Sequence, residues 1–328
     1  MSLQKTRFGL TLPNRGVIIG VTTVEEMYAM AQKAEDAGWD SVWVGDSIFA
    51  KPRLDALVLL GALAARTKRV KLGPACFAST PLRNALLLAY QWCSLDFLSG
   101  GRTIFVACQG GAGGSGGNFA DEFAAFHTDP KSRMRRMEEA MEILRLTSSQ
   151  RDISYQGEYN EFSHITIEPR PVQQPIPIWV TANPDPNTPK LAERALRRVA
   201  LYGDGWMSTR NTPESFRTNL AAIQRYAQEE GHPLRPDFEA CLYYNINVNE
   251  DREAAFAESK KFLDNYYMAD FSRPYLENWV AFGSPQECIE RLKAFIDAGA
   301  TTITLRLTGY DQERQFKRVT EEVLAKLV

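Results

Sequence analysis

The chain has 328 residues, of which 44% are hydrophobic and 11% aromatic, as in ordinary globular enzymes with a large buried core. Its 38 basic and 40 acidic residues leave a formal net charge of −2 without a basic stripe, which argues against nucleic acid or an anionic membrane as a partner. The five cysteines are widely spaced and form no C-x-x-C pair, and the three histidines are scattered, so we expect reduced thiols and no metal centre.

The apolar runs of the chain are short. The most apolar of them, such as residues 54–65, cannot span a bilayer. Residues 1–7 lack the apolar core of a secretory signal. We therefore expect a cytoplasmic protein.

The first predicted elements are a strand and a capped helix. Residues 8–12 are apolar and end at a Pro-Asn turn. Thr23 and Glu26 form a capping box, and apolar residues then recur with the spacing of a helix face. Gly38 suits the left-handed position just past the end of this helix, so a tight turn leads into the next strand.

The second strand, residues 41–45, ends on Asp46 and Ser47. Polar residues at the C-terminal tip of a buried parallel strand are where α/β enzymes place their sites. The same pair also suits a turn or a helix N-cap. We therefore interpret Asp46 and Ser47 as candidate site residues, while a local structural role stays open.

Strands and helices then alternate to the end of the chain. A third strand over residues 70–76 contains Pro74, which cannot donate a ladder hydrogen bond and therefore predicts an irregular end. The remaining strands are predicted at residues 103–107, 176–181, 203–207, 240–248 and 302–306. The later helices are predicted at residues 54–65, 82–98, 133–146, 191–198, 213–230, 285–298 and 312–327.

Eight strands separated by helices predict a closed parallel barrel, a (β/α)8 TIM barrel, because helices outside the barrel bury each strand on both faces. An open doubly wound sheet rarely needs so many strands. Residues 110–175 break the alternation and are interpreted as an insertion after strand four, with a hairpin over residues 153–167. We therefore expect one α/β domain over residues 1–328.

A glycine-rich stretch opens the insertion. Residues 111–116 read Gly-Ala-Gly-Gly-Ser-Gly and match the G-x-G-x-x-G pattern of dinucleotide-binding folds. No second parallel strand with an acid near its end follows, as such a fold requires. A flexible surface loop and a loop whose backbone N–H groups contact a ligand phosphate are the other interpretations, and we favour the last.

Cys76 and Cys108 follow strand ends on the same side of the predicted barrel. Neither has a histidine nearby in sequence to lower its pKa, so both suit small wall residues better than nucleophiles. The chain shows no Ser-His-Asp order and no pair of catalytic carboxylates. A cofactor is then the natural carrier of the chemistry.

Several larger side chains near strand ends each allow two interpretations of their role. Trp43, Trp179 and Trp206 suit the core or a pocket wall. Arg53 and Arg306 suit either an anionic group of a ligand or solvent. Both pairs of interpretations stay open at this point.

Five motifs follow one another along the chain: Arg7-Phe8-Gly9-Leu10, residues 34–44, residues 95–102, Gly203-Asp204-Gly205-Trp206 and Phe282-Gly283-Ser284-Pro285. Through their order and spacing, the chain resembles the bacterial luciferase-like family of flavin-dependent monooxygenases over nearly its whole length. The resemblance implies a barrel with an insertion, a bound reduced FMN or deazaflavin coenzyme F420, and a homodimer.

The resemblance also implies where the cofactor lies. The flavin ring is expected over the end of strand three, where relatives often have a non-proline cis peptide, here between Ala75 and Cys76. Two loops are expected to meet the phosphate, one with Cys108, Gln109 and Gly110 after strand four and one with Thr181, Ala182 and Asn183 after strand five.

Asp46 and Ser47 are the catalytic residues that the resemblance implies. In many relatives an acid beside the cofactor stands at position 46 and a proton-transferring histidine at position 47. Serine at position 47 keeps a hydrogen-bonding group but removes the acid and base function of the histidine.

We expect a monooxygenase in which reduced FMN and O2 oxygenate a small organic substrate in a pocket that excludes water. A separate flavin reductase would then supply the reduced flavin. The first alternative is a deazaflavin-dependent dehydrogenase or reductase, which transfers a hydride without O2. The second is a non-catalytic flavin-binding protein, which the serine at position 47 would favour.

Overall fold

Strands and helices alternate along the chain. The computed structural model describes residues 5–111 and 116–327. Its strands are β1 (Arg7–Leu12), β2 (Ser41–Val44), β3 (Lys71–Pro74), β4 (Phe105–Ala107), β5 (Ile153–Gln156), β6 (Glu161–Ile165), β7 (Ile178–Thr181), β8 (Gly205–Ser208), β9 (Glu239–Val248), β10 (Val280–Gly283) and β11 (Thr302–Leu307). Its α-helices are α1 (Val24–Asp36), α2 (Ala56–Arg66), α3 (Ala85–Ser99), α4 (Phe119–Ala125), α5 (Arg133–Ser149), α6 (Pro189–Tyr202), α7 (Pro213–Glu229), α8 (Arg252–Tyr267), α9 (Arg273–Glu277), α10 (Pro285–Asp297) and α11 (Gln312–Arg318). Within the described ranges, no helix has the length and apolar character needed to cross a membrane.

Eight parallel strands form a nearly closed barrel. Their order is β3-β2-β1-β11-β9-β8-β7-β4, and each neighbouring pair is parallel. The two ends of this order, β3 and β4, meet through isolated bridges from Leu72 to Thr103 and from Phe77 to Ala107. The predicted TIM barrel is therefore confirmed, and the C-terminal ends of its strands share one rim.

The connection from α1 into β2 follows the local signals in the sequence. Thr23 and Glu26 form the capping box, in which the backbone N–H of Thr23 donates to Oε2 of Glu26 at 2.7 Å. Gly38 has a φ of +84°, in the left-handed region that glycine adopts without strain. This short turn delivers Asp46 to the rim at the end of β2.

Two tryptophans fill the barrel interior. Trp43 and Trp179 are buried, with ring centroids 5.3 Å apart. Glycines on nearby strands make room for them, since a Cβ on Gly205 would lie 2.5 Å from Cδ1 of Trp179. Trp206 packs in the core between the barrel and the helices, where its ring stacks on that of Phe216 of α7 with centroids 4.7 Å apart. All three tryptophans are core residues.

Replacing Gly205 with alanine is expected to lower the free energy of unfolding by about 2 kcal/mol, because the new methyl group overpacks the interior against Trp179. Urea unfolding measures this change. Gly61→Ala is the matched control, since Gly61 lies inside α2 and a Cβ there would meet nothing within 4 Å beyond its chain neighbours and the backbone of its own helix. Alanine in such a helix position adds roughly 0.5–1 kcal/mol of stability. Equal effects of the two substitutions would contradict the interior packing.

The insertion after β4 contains α4, α5 and the hairpin of β5 and β6. The hairpin is antiparallel and forms a sheet of its own beside the barrel. Glu139 of α5 holds the hairpin turn, since its buried carboxylate accepts the backbone N–H groups of Glu158 and Tyr159. A dinucleotide-binding unit is excluded, because the strand after these helices, β5, pairs with β6 in a separate sheet and does not join the sheet of β4. Residues 112–115 of the glycine motif lie outside the described residues.

The segment between β9 and α10 differs from the sequence prediction. The sequence predicts no element there, but the structure has α8, α9 and β10. β10 pairs in parallel with the C-terminal half of β9, outside the barrel order. β9 reaches this far because it has ten residues. The segment covers one side of the rim.

Candidate active site

A cavity of about 650 Å³ opens at the C-terminal rim of the barrel. Most of its floor comes from residues at the ends of β2, β3, β4, β7, β8 and β11, as expected for a barrel enzyme. Nine of the ten predicted site residues line it: Asp46, Ala75, Cys76, Cys108, Gln109, Gly110, Thr181, Ala182 and Asn183. Ser47 is the exception.

The backbone just after β3 forms part of the cavity wall. The peptide bond between Ala75 and Cys76 is cis, as the family resemblance implied. Hydrogen bonding to Cys108, together with burial, raises the pKa of Cys76, so this side chain is a neutral thiol at physiological pH. Cys76 and Cys108 contact each other, and both form part of the cavity wall.

Asp46 is buried, with one carboxylate oxygen hydrogen-bonded and one without a hydrogen-bond partner among the described residues. Its Oδ2 accepts the backbone N–H of Ser79 at 2.7 Å, and Nη2 of Arg83 lies 3.9 Å from its Oδ1. Oδ1 has no hydrogen-bond partner among the described residues. Burial raises the pKa of Asp46, while Arg83 and Ser79 oppose the shift. Asp46 is therefore a buried carboxylate at the edge of the cavity, with one oxygen that no described residue hydrogen-bonds.

Ser47 lies behind the cavity wall. Its hydroxyl donates to the backbone carbonyl of Lys51 at 2.7 Å and so closes the turn that follows β2. The side chain is buried and does not line the cavity. The local structural role that the sequence left open is the one seen here, and the position of Ser47 gives no support to a role at the cofactor.

The loop after β2 is held by a carboxylate from the insertion. Oε2 of Glu122, on α4, accepts the backbone N–H groups of Ile48, Phe49 and Ala50 at distances of 2.5–2.8 Å. Glu122 is 1% exposed, so these charge-assisted hydrogen bonds form away from water. They fix the loop that brings Lys51 to the cavity.

Replacing Glu122 with alanine is expected to speed hydrogen exchange at the amides of residues 48–50 by about tenfold or more, because three buried donors lose a charged acceptor. Exchange followed by mass spectrometry measures the change. Asp121→Ala, an exposed acid next to it on α4, is the control and should leave these amides unchanged. Unaltered exchange in the Glu122 variant would show that other contacts hold the loop.

Lys51 is a site residue that sequence reasoning missed. Its Nζ lies over the rings of Phe119 and Tyr267, 5.0 and 4.9 Å from their centroids. The side chain is buried and lines the cavity. Burial lowers the pKa of Lys51 to about 7, and the positive charge of Arg53 acts in the same direction. A lysine with this pKa can hold or release a proton near neutral pH.

Arg306 reaches the cavity from β11 and is only 1% exposed. Its Nη1 donates to the hydroxyl of Tyr267 at 2.5 Å, and that hydroxyl lies 2.9 Å from the hydroxyl of Tyr243. Its Cζ lies 4.1 Å from the ring centroid of Tyr266. Solvation of Arg306, one of the two interpretations from the sequence, is excluded by this burial. Arg53 is half-buried and also lines the cavity.

The β4 and β7 side of the cavity carries further positive charge. Arg133 of α5 and Arg194 and Arg198 of α6 line it, next to the two loops where a phosphate is expected. Among the described lining residues of the whole cavity, seven are lysine or arginine and two are aspartate. The cavity is therefore suited to ligands with anionic groups.

Comparisons with known proteins bear on this site. A family model described as luciferase-like monooxygenase matches residues 6–302. The F420-dependent glucose-6-phosphate dehydrogenase of Amycolatopsis mediterranei is 26% identical, with 92% of this chain and 94% of the relative covered. A protein of the same name from Kineococcus radiotolerans is 27% identical, with 90% and 91% covered.

Two solved structures show a similar fold. The monooxygenase RslO1 from Streptomyces bottropensis has a TM-score of 0.78 at 22% identity, with 98% of this chain and 100% of that chain covered. An F420-dependent secondary alcohol dehydrogenase, solved with an F420-acetone adduct, has a TM-score of 0.80 at 17% identity, with 98% and 99% covered.

Proposed function

Since the chain belongs to the luciferase-like monooxygenase family, we propose that it is an oxidoreductase that exchanges a hydride between coenzyme F420 and a small organic substrate. The observation that carries this proposal is that curated relatives matching 90% or more of the chain are named F420-dependent dehydrogenases. The sequence favoured reduced FMN and O2 instead. The deazaflavin alternative now has the better support.

The residues of the cavity fit a phosphate-bearing flavin or deazaflavin. The excess of lysine and arginine over aspartate among the described lining residues suits the anionic groups of such a cofactor. The backbone at Gly110 has a φ of +80° and a Cβ there would lie 3.1 Å from the carbonyl oxygen of Ala78, so a side chain at this position would be strained. The loop after β4 can thus bring its backbone close to a ligand.

When bound, the deazaflavin supplies a ring carbon that accepts or gives a hydride. The protein holds and orients the reactants. Asp46, whose Oδ1 has no hydrogen-bond partner among the described residues, would accept a hydrogen bond from the cofactor ring. Arg133 and Arg194 would bind the phosphate side of the cofactor. The buried aromatic residues around the cavity keep water from the reacting groups.

Oxidation of an alcohol also requires a group that takes the hydroxyl proton. Lys51 is suited to this role, since its Nζ is buried in the cavity wall and its pKa is about 7. No histidine is among the described lining residues. We therefore assign to Lys51 the proton transfer that a histidine at position 47 performs in many relatives.

Parallel titrations of the purified protein with F420 and with reduced FMN, followed by fluorescence without oxygen, test the cofactor. We expect F420 to bind at least about tenfold more tightly. A panel of alcohols, with glucose 6-phosphate as one member, then tests turnover: an alcohol that is a substrate should bleach the visible absorption of oxidised F420 without O2 uptake.

Two results would overturn the proposal. O2 uptake with reduced FMN, together with an oxygenated product, would establish the monooxygenase. Tight flavin binding without turnover across a broad substrate panel would establish the non-catalytic flavin-binding protein.

A further inference from the structure

The cavity has a second side that the proposed cofactor contacts leave unused. It lies over β9 and β11 and under the segment that follows α8. Its described lining residues include Tyr243, Tyr267, Phe271, Tyr275, Trp279 and Arg306. The loops after β4 and β7, where the phosphate is expected, lie elsewhere on the rim, because β8 separates them from β9 in the barrel order.

Arg306 is a buried cation without a protein counter-ion on this side. No carboxylate of the described residues lies within 4.0 Å of its guanidinium, and its Nε has no hydrogen-bond partner among them. The tyrosine rings around it provide only partial compensation for the loss of water. Because an unpaired buried charge is costly, a bound anion is the natural partner of this guanidinium.

Neighbouring charges strengthen the preference for an anion. Arg53 lies over the ring of Tyr266 at 5.5 Å, and Lys51 lies over the ring of Tyr267 at 4.9 Å. Asp46, the acid at the end of β2, is engaged by Ser79 and faces Arg83. This part of the cavity therefore has an excess of positive charge.

The rest of this side is aromatic. Phe271 and Tyr275 stack with centroids 4.8 Å apart, and Trp279 lies 5.1 Å from Tyr267 and 5.6 Å from Phe271. Among its described lining residues, no carboxylate or side-chain amide is present to bind the hydroxyl groups of a sugar. These walls suit an apolar, flat molecule better than a polyol.

We infer that the substrate is a small organic acid that carries the alcohol or carbonyl group of the hydride exchange on an apolar, preferably aromatic, body, and that Arg306 binds its carboxylate while the body packs between Tyr267, Tyr275 and Trp279. This assignment rests on the proposed function and names the substrate class of the same site. It differs from the sugar phosphate in the names of the curated relatives. Charge-assisted hydrogen bonds from a guanidinium to a carboxylate are stronger than those between neutral groups.

Calorimetric titration with three probes tests this assignment on the protein saturated with F420. The probes are phenylacetate, its neutral isostere phenylacetamide, and glucose 6-phosphate. We expect phenylacetate to bind at least about tenfold more tightly than either of the others, because only it provides both the charge and the apolar body. Tighter binding of glucose 6-phosphate would overturn the assignment.

Two variants locate the binding. Arg306→Met should weaken the binding of phenylacetate by about tenfold or more and leave the binding of phenylacetamide unchanged. Tyr275→Ala, at a half-buried position that tolerates truncation better, should weaken both phenyl probes equally. If Arg306→Met does not fold, Tyr275→Ala still tests whether the phenyl ring of the probes packs against the aromatic wall. Equal binding of phenylacetate to wild type and both variants would contradict the inference.

The two proposals fail in different ways. Failure to bind F420 refutes the proposed function, and it is read from the fluorescence titration alone. Titration of the same three probes into cofactor-free protein then still reports whether Arg306 selects an apolar carboxylate.

Discussion

Lys51→Met is expected to lower kcat by a factor of about 100–1,000 while the dissociation constant for F420 changes little, because the variant loses the group that accepts the substrate proton but keeps the cavity apolar. Steady-state kinetics and the F420 fluorescence titration measure the two quantities. Lys261→Met is the matched control, since Lys261 also lies over a tyrosine ring, at 5.3 Å, but is exposed on α8.

The protonation state of Lys51 sets the direction in which kcat changes with pH. With a pKa of about 7, Lys51 is protonated below that pH and neutral above it. The neutral amine is the base, so kcat for alcohol oxidation should rise through about pH 7 and then level off. For the reverse reduction, the protonated form is the acid and kcat should fall over the same range. Arg53→Met should move the midpoint upward, because Arg53 is a positive neighbour that lowers this pKa.

A lysine that acts only through structure would give a different result. Lys51→Met would then weaken F420 binding or stability and leave the pH midpoint of the residual activity in place. That outcome would remove Lys51 from the proton transfer.

Arg102→Met is expected to lower the free energy of unfolding by about 3–5 kcal/mol, because it leaves several buried acceptors without donors. The guanidinium donates five hydrogen bonds at 2.6–3.0 Å to the backbone carbonyls of Ala64, Thr67, Val70 and Ser99 and to the Thr67 hydroxyl. It thereby ties the end of α2 to the end of α3.

Urea unfolding of Arg102→Met and Arg66→Met measures the difference. Arg66 lies at the end of α2 and is exposed, with its guanidinium over the ring of Tyr28. Its truncation should cost less than about 1 kcal/mol. Similar losses in both variants would mean that the hydrogen bonds of Arg102 are not the source of its contribution.

This arginine shows what the motif at residues 95–102 does. Asp96 in the same motif accepts the hydroxyl of Thr103 and the backbone N–H of Gln173. Gly100 and Gly101 have φ of +70° and +80°, which lets the chain turn sharply into β4. This motif, one of the five that together carry the family resemblance, therefore stabilises the barrel and lies away from the candidate site.

The floor of the site could be predicted from sequence because strand tips fix it. In a parallel barrel all strands end at one rim, so the residues after β2, β3, β4 and β7 must meet. Asp46, Cys76 and Cys108 could thus be placed together without any knowledge of long-range contacts. The homodimer implied by the family resemblance stays a prediction.

The positions of Ser47 and Lys51 could not be predicted in this way. Both depend on a loop that Glu122 holds from the insertion, more than seventy residues later in the chain. Nothing local distinguishes Lys51 from a solvated lysine in a turn. Arg306 posed a similar problem, since its partner Tyr267 comes from α8, which the sequence pattern did not predict.

The aromatic wall opposite the cofactor loops has a consequence for how this protein can diverge. One continuous stretch, which begins at the last residue of α8 and crosses the rim, supplies Tyr267, Phe271, Tyr275 and Trp279. The strands that close the barrel and the loops expected to hold the cofactor lie elsewhere in the chain. Exchange of this single stretch between related proteins could therefore replace one substrate preference by another, while the barrel and the cofactor contacts are inherited unchanged.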